Sequence, residues 1–104
     1  MPHALLIKAA SICNEESYNR NAEESVQVAS TKSFCMTGLL IRANCKHTGK
    51  YLLRFGDSKV LHEANMLVCR TVKAIHIRSW EIDKKPSWED VKNAFIEASK
   101  LTFS

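Results

Sequence analysis

Along this chain the apolar positions change period, and each period predicts a different element. His3-Ala-Leu-Leu-Ile-Lys-Ala is a short apolar run that reads first as a strand, although its length also fits the start of a helix. Asn14 to Ala29 is polar. Tyr18, Ala22, Val26 and Ala29 form one helical stripe there, with Asn14, Glu15 and Glu16 as a helix start, while Ser25-Val-Gln-Val-Ala alternates as a strand would. Ser33 to Asn44, carrying Phe34, Cys35, Met36, Leu39, Leu40 and Ile41, reads as a strand, and Lys50 to Phe55 as its partner. The polar loop between them, Cys45 to Lys50, makes a hairpin in which Gly49 supplies the positive φ of the turn.

The clearest helix follows. Asp57 or Ser58 caps it, and Val60, Leu61, Ala64, Leu67, Val68 and Val72 recur at helical spacing with no Pro or Gly between them. Ile75-His-Ile-Arg-Ser-Trp-Glu-Ile alternates as a strand, and Asp83-Lys-Lys-Pro is a turn. Ser87 then caps a last helix, with Asp90 three residues on in a near capping box and Trp88, Val91, Phe95 and Ala98 as its buried stripe. The order β-α-β-β-α-β-α predicts a small single α+β domain over residues 1–104. Two to three helices would lie on an antiparallel sheet of ferredoxin-like order.

Strand alternation then sorts the side chains. Cys35, Thr37, Leu39 and Ile41 would meet the helices together with Tyr51, Leu53, Phe55, Ile75 and Ile77. The opposite face would hold Phe34, Met36, Leu40 and Arg42, then Lys50, Leu52 and Arg54, then His76, Arg78 and Trp80, a basic and aromatic platform with apolar patches unless the last helix covers it. Thr48-Gly49-Lys50-Tyr51-Leu52-Leu53-Arg54-Phe55, followed by Leu61 and Ala64, distantly resembles the third strand and second helix of RNA-recognition-motif domains. Gly49 and Phe55 fall where that family's aromatic octamer has its glycine and last aromatic. Its two base-stacking positions fall on Lys50 and Leu52, so the likeness is one of element order.

Charge sharpens this picture. The 104 residues carry a net charge of +4, but residues 32–78 hold nine of the lysines and arginines against only Asp57 and Glu63. The basic character thus belongs to the middle of the chain and bears on what the surface attracts. A chain of this length buries roughly 60–70% of its unfolded surface, enough for one core. The four cysteines are widely spaced, without a C-x-x-C pair, and read as reduced thiols of a cytoplasmic protein. No run approaches a membrane span, and the short apolar start, broken by Lys8, lacks the features of a secretory signal.

Candidate chemistry is sparse. Cys45-x-His47 with His62 and Cys69 offers one close ligand pair, short of the paired spacing of structural zinc sites, so no metal and no cofactor are expected. No local signature surrounds any cysteine as a nucleophile. The adjacent acids Glu15-Glu16, Glu23-Glu24 and Glu89-Asp90 diverge on a helix and serve its dipole instead. Gly56-Asp57-Ser58 is better read as a helix cap than as an anion site.

The expectation is therefore a non-enzymatic binding or regulatory module. Its partner would be acidic: nucleic acid, or a complex that processes nucleic acid. Arg42, Lys46, Lys50, Arg54, Arg78 and Trp80 would bind it. The alternative is a protein–protein adaptor or inhibitor, of the accessory kind carried by viruses and mobile elements, gripping its partner through Trp88 and Phe95 on the last helix.

Overall fold

The computed structural model describes residues 2–21, 33–48 and 59–102, with the backbone alone for 45–48. Among the described residues five helices follow in order: α1 Pro2–Ile12, α2 Met36–Thr48, α3 Lys59–Val72, α4 Ile77–Lys84 and α5 Trp88–Ser99. Among the described residues the only β pairing is an isolated parallel bridge between Tyr18 and Phe34. The expected α+β domain with its antiparallel sheet is thereby overturned; the described chain is all-helical. Three expected strands, over residues 3–9, 33–44 and 75–82, fall largely or wholly in α1, α2 and α4. The second strand of the hairpin, Lys50 to Phe55, lies outside the described residues, as does Gly49 in the turn before it. So do Asp57 and Ser58, read as the cap of α3, and Ala22, Val26 and Ala29 of the early helical stripe.

The physical reasons differ from helix to helix. In α1, Pro2 stands at the first position, where a missing N–H costs nothing. Pro2, Leu5, Leu6, Ala9 and Ala10 are all buried, and this spacing is the stripe of an amphipathic helix. In α2, every residue from Met36 to Ile41 is buried, as are Ala43 and Asn44. Over Met36–Ile41 this helix has no exposed face, so that stretch of its sequence shows no polar repeat to separate it from a strand. Just before it, the Cys35 Sγ accepts the Gly38 N–H at 3.5 Å, standing in for the usual hydroxyl cap.

α3 and α5 are the helices whose sequence period is plain, and both form. Leu61, Ala64, Leu67 and Val68 are the buried face of α3, and Val91, Ala94, Phe95 and Ala98 that of α5. Ser87 and Asp90 complete the capping box reciprocally, each side chain bonding the other's backbone N–H at 3.2 Å. The turn expected at 83–86 begins later, because Asp83 and Lys84 belong to α4, and Pro86 is buried between the two helices' ends.

Packing centres on α1, which meets α5 most extensively. α1 touches α2, α3 and α5, and α2 also touches α3 and α4. One continuous cluster runs from Leu5, Leu6 and Ala9 through Leu39, Leu40 and Ile41 to Leu67, Val68, Val91 and Phe95. α4 lies at the margin, packing against α2 and α3, with Ile77 and Glu81 as its buried residues. Leu39→Ala is expected to lower stability by about 3 kcal/mol, since Leu39 is wholly buried and its loss leaves a cavity in the core. Ser87→Ala is expected to lower it by about 1 kcal/mol through the lost cap. Denaturant unfolding of the two variants against the parent checks both values and their order.

Candidate functional site

α3 ends through a turn that sets up the corner with α4. Ala74 N–H bonds the Cys69 carbonyl at 3.0 Å, and Lys73 between them is left-handed, with φ 57°. This is the Schellman arrangement, in which glycine is the usual occupant because it has no Cβ to clash. Lys85, which caps the far end of α4, is left-handed too, with φ 47°, and its N–H bonds the Glu81 carbonyl at 3.0 Å. A lysine at such a position costs roughly 1 kcal/mol relative to a right-handed residue. Among the described non-glycine residues, these two lysines alone have positive φ, and they stand at either end of α4.

Between the ends of α3 and α4 lies a half-open groove of about 360 Å³. Lys73, Ile75, His76, Trp80, Asp83 and Lys84 are among its lining residues. Trp80 is half-buried and packs against the core, so its indole is held by the fold. Ile75 is 87% exposed, the most solvent-accessible large apolar side chain described. At the start of α4, His76 makes no side-chain bond to the helix, and the Ile77 N–H is directed to the Cys69 thiol.

Behind the groove, the inner face of α4 carries a buried carboxylate. Glu81 is fully buried; its Oε2 accepts the Tyr18 hydroxyl at 2.7 Å and the Met36 N–H at 3.1 Å. Arg78 Nη1 lies 3.6 Å from Oε1, an ion pair too long for a hydrogen bond, and Oε1 has no hydrogen-bond partner. Arg78 also donates to the Arg20 carbonyl. Burial pushes the Glu81 carboxyl above its ordinary range, and Tyr18, Met36 N–H and Arg78 offset only part of this. Burial, and then the hydrogen bond to Glu81, push the Tyr18 hydroxyl upward as well. Burial raises the Cys13 thiol to about 11 and the Cys69 thiol in the same direction. Both thiols are protonated at neutral pH and are poor nucleophiles.

The residues expected to share a basic platform are not placed as strand alternation requires. Arg42 is half-buried on α2, whereas Arg78 sits on α4, engaged with Glu81 and Arg20. Lys46 belongs to the last turns of α2, and Lys50 and Arg54 lie outside the described residues. Trp80 alone of the six lines the groove. Of the alternative anchors, Trp88 is half-buried against the core, and Phe95 is wholly inside it, out of reach of a partner. His62 is exposed and Cys69 half-buried on α3, and among the described residues no group of three potential ligands could hold a metal ion.

His76 is expected beside Trp80 on the platform face, but Lys73, Asp83 and Lys84 escape sequence reasoning, and Ile75 is expected inside, because 75–82 alternates as a strand does. The i, i+4 pairs Ile77–Glu81 and Trp80–Lys84 are the signal of the helix. Comparison of the chain with known families, curated proteins and solved structures returns no match. Among the described residues no helix is long and apolar enough to cross a membrane.

The buried carboxylate makes stability depend on pH with a definite sign. With its folded pKa raised, Glu81 keeps its proton to higher pH in the folded chain than in the unfolded one. Its contribution therefore falls as pH rises from the ordinary value of 4.5 through the raised one. Glu81→Gln is uncharged throughout. Its melting temperature relative to the parent should climb between pH of about 4 and about 8, as the parent's buried charge develops. A constant difference across that range would show that Glu81 carries no such burden.

Proposed function

We propose that the chain is a non-catalytic binding module of the reducing cytoplasm, and that its α3–α4 corner engages nucleic acid or an assembly built on it. The observation that carries this reading is the groove itself, where the indole of Trp80 lies in a surface bearing Lys73, His76 and Lys84. Cations attract phosphates, and an aromatic face accepts a base of any sequence, so the two together suit a nucleic-acid strand. The left-handed Lys73 favours it as well: where the fold would be served by glycine, the chain keeps a positive charge in the groove, and strain of this kind gathers at functional sites. The net positive charge of residues 32–78 adds long-range attraction toward the same partners.

One observation favours a protein partner instead. Ile75, 87% exposed at the rim of the groove, is the kind of apolar projection that anchors a protein interface. Salt separates the two readings. Anisotropy of a labelled single strand should report binding that weakens as salt rises. The double variant Lys73→Gln, Lys84→Gln should bind at least about tenfold more weakly, with a shallower salt slope by roughly 0.7 per lost phosphate contact. Its thermal melt should stay close to that of the parent. Binding that is indifferent to salt and to both lysines, yet lost in Ile75→Asp, would favour the protein partner.

A further inference from the structure

Resting on that reading, we infer that the corner takes a single unpaired nucleotide, with its base on Trp80, its phosphate between Lys73 and Lys84, and an amino-bearing base preferred. Size is the first ground. At about 360 Å³ the groove stands near the lower end of the ~300–1,000 Å³ that small-molecule sites occupy, so it admits one small ring system with its sugar and phosphate. A duplex cannot present a base this way, because each base is covered above and below by its neighbours and its edges alone are open. A flat face reaches an indole only from a single strand, a loop or an extruded base.

The second ground is the mixture of charges. Lys73 and Lys84 suit a phosphate, but Asp83 lines the same groove and would repel one. A carboxylate only accepts hydrogen bonds at neutral pH, so its fitting neighbour is a donor, and the exocyclic amino group of cytosine is such a donor. Thymine offers a carbonyl at the same position and would face Asp83 acceptor to acceptor. The groove thus sorts the parts of one nucleotide: cations for the phosphate, an acceptor for the base edge and an indole for the base face. The third ground is rigidity. Trp80 packs against the core and its helix is pinned from within through Glu81, so the indole is held in place before a base arrives.

The test uses the full chain with Trp88→Phe, which leaves Trp80 as the one tryptophan. Trp80 fluorescence and the anisotropy of labelled probes are followed together at low salt. The probes are short oligodeoxycytidylate, oligothymidylate of equal length, and a mixed-sequence duplex. Expected are quenching of Trp80 by the cytidylate, binding at least about tenfold tighter than to the duplex, and a cytidylate-over-thymidylate preference that Asp83→Asn reduces. Should Trp88→Phe not fold, the same titration on the parent is read against Trp80→Leu, whose loss of quenching and of affinity with a retained melt is the expected result. Salt-sensitive binding without quenching, or equal binding of duplex and single strand, would overturn the single-nucleotide inference and leave the nucleic-acid reading standing. Equal binding of cytidylate and thymidylate would overturn the preference assigned to Asp83. No binding of any probe would overturn both the inference and the reading beneath it.

Discussion

Glu81 is a carboxylate without access to water, and the groups that meet it come from separate parts of the chain. Tyr18 comes from the segment after α1, the Met36 N–H from the start of α2, and Arg78 from one turn back on α4 itself. A carboxyl group in such a place depends on the partners it has, and removing one of them leaves a buried polar group less compensated. The group therefore ties α4 to Tyr18 and to the α2 N-terminus at once. The position beside that N-terminus is also a favourable one for a negative charge, since the first turn of a helix carries partial positive charge.

Much of the helix content is legible where a helix has a wet side and a dry side. Leu61, Ala64, Leu67 and Val68 announce α3, and the Ser87–Asp90 box announces α5, because exposure on one face leaves a period in the sequence. α1 carries such a stripe in Pro2, Leu5, Leu6, Ala9 and Ala10, but a short apolar run hides its period within two or three turns. α2 is illegible for the opposite reason: over Met36–Ile41, burial on every side removes the polar positions that would mark the repeat. α4 misleads through local alternation, Ile75, Ile77 and then Ser79 on one parity, His76, Arg78 and Trp80 on the other. That pattern conceals that a charged residue, Glu81, is the one to go inside.

The site is legible only in part, and the part that survives does so on different grounds. Alternation puts Trp80 on a sheet face among cations from neighbouring strands; it is found on a helix, between a cation in the turn before that helix, Lys73, and one in its last turn, Lys84. Pairwise proximity in a sheet follows parity, whereas proximity at a helix–helix corner follows where one helix stops and the next begins. No count of alternating positions can supply that, and so Lys73 and Lys84 go unseen although both are plain in the sequence. Arg78, which looks like a binding residue because it is basic, has an internal role: it balances Glu81 and holds the Arg20 carbonyl.

The bridge between Tyr18 and Phe34 brings together two residues sixteen positions apart in the chain. Asn19 N–H bonds the Phe34 carbonyl at 2.8 Å, and Phe34 N–H bonds the Ser17 carbonyl at 2.7 Å. The two ends of the intervening stretch are thus fastened to each other by the folded body. The same short pairing sets the two hydrogen-bond donors to the Glu81 Oε2 side by side, since Tyr18 is itself one member of the bridge and Met36 follows the other by two residues, so the bridge and the buried carboxyl hold one another in register.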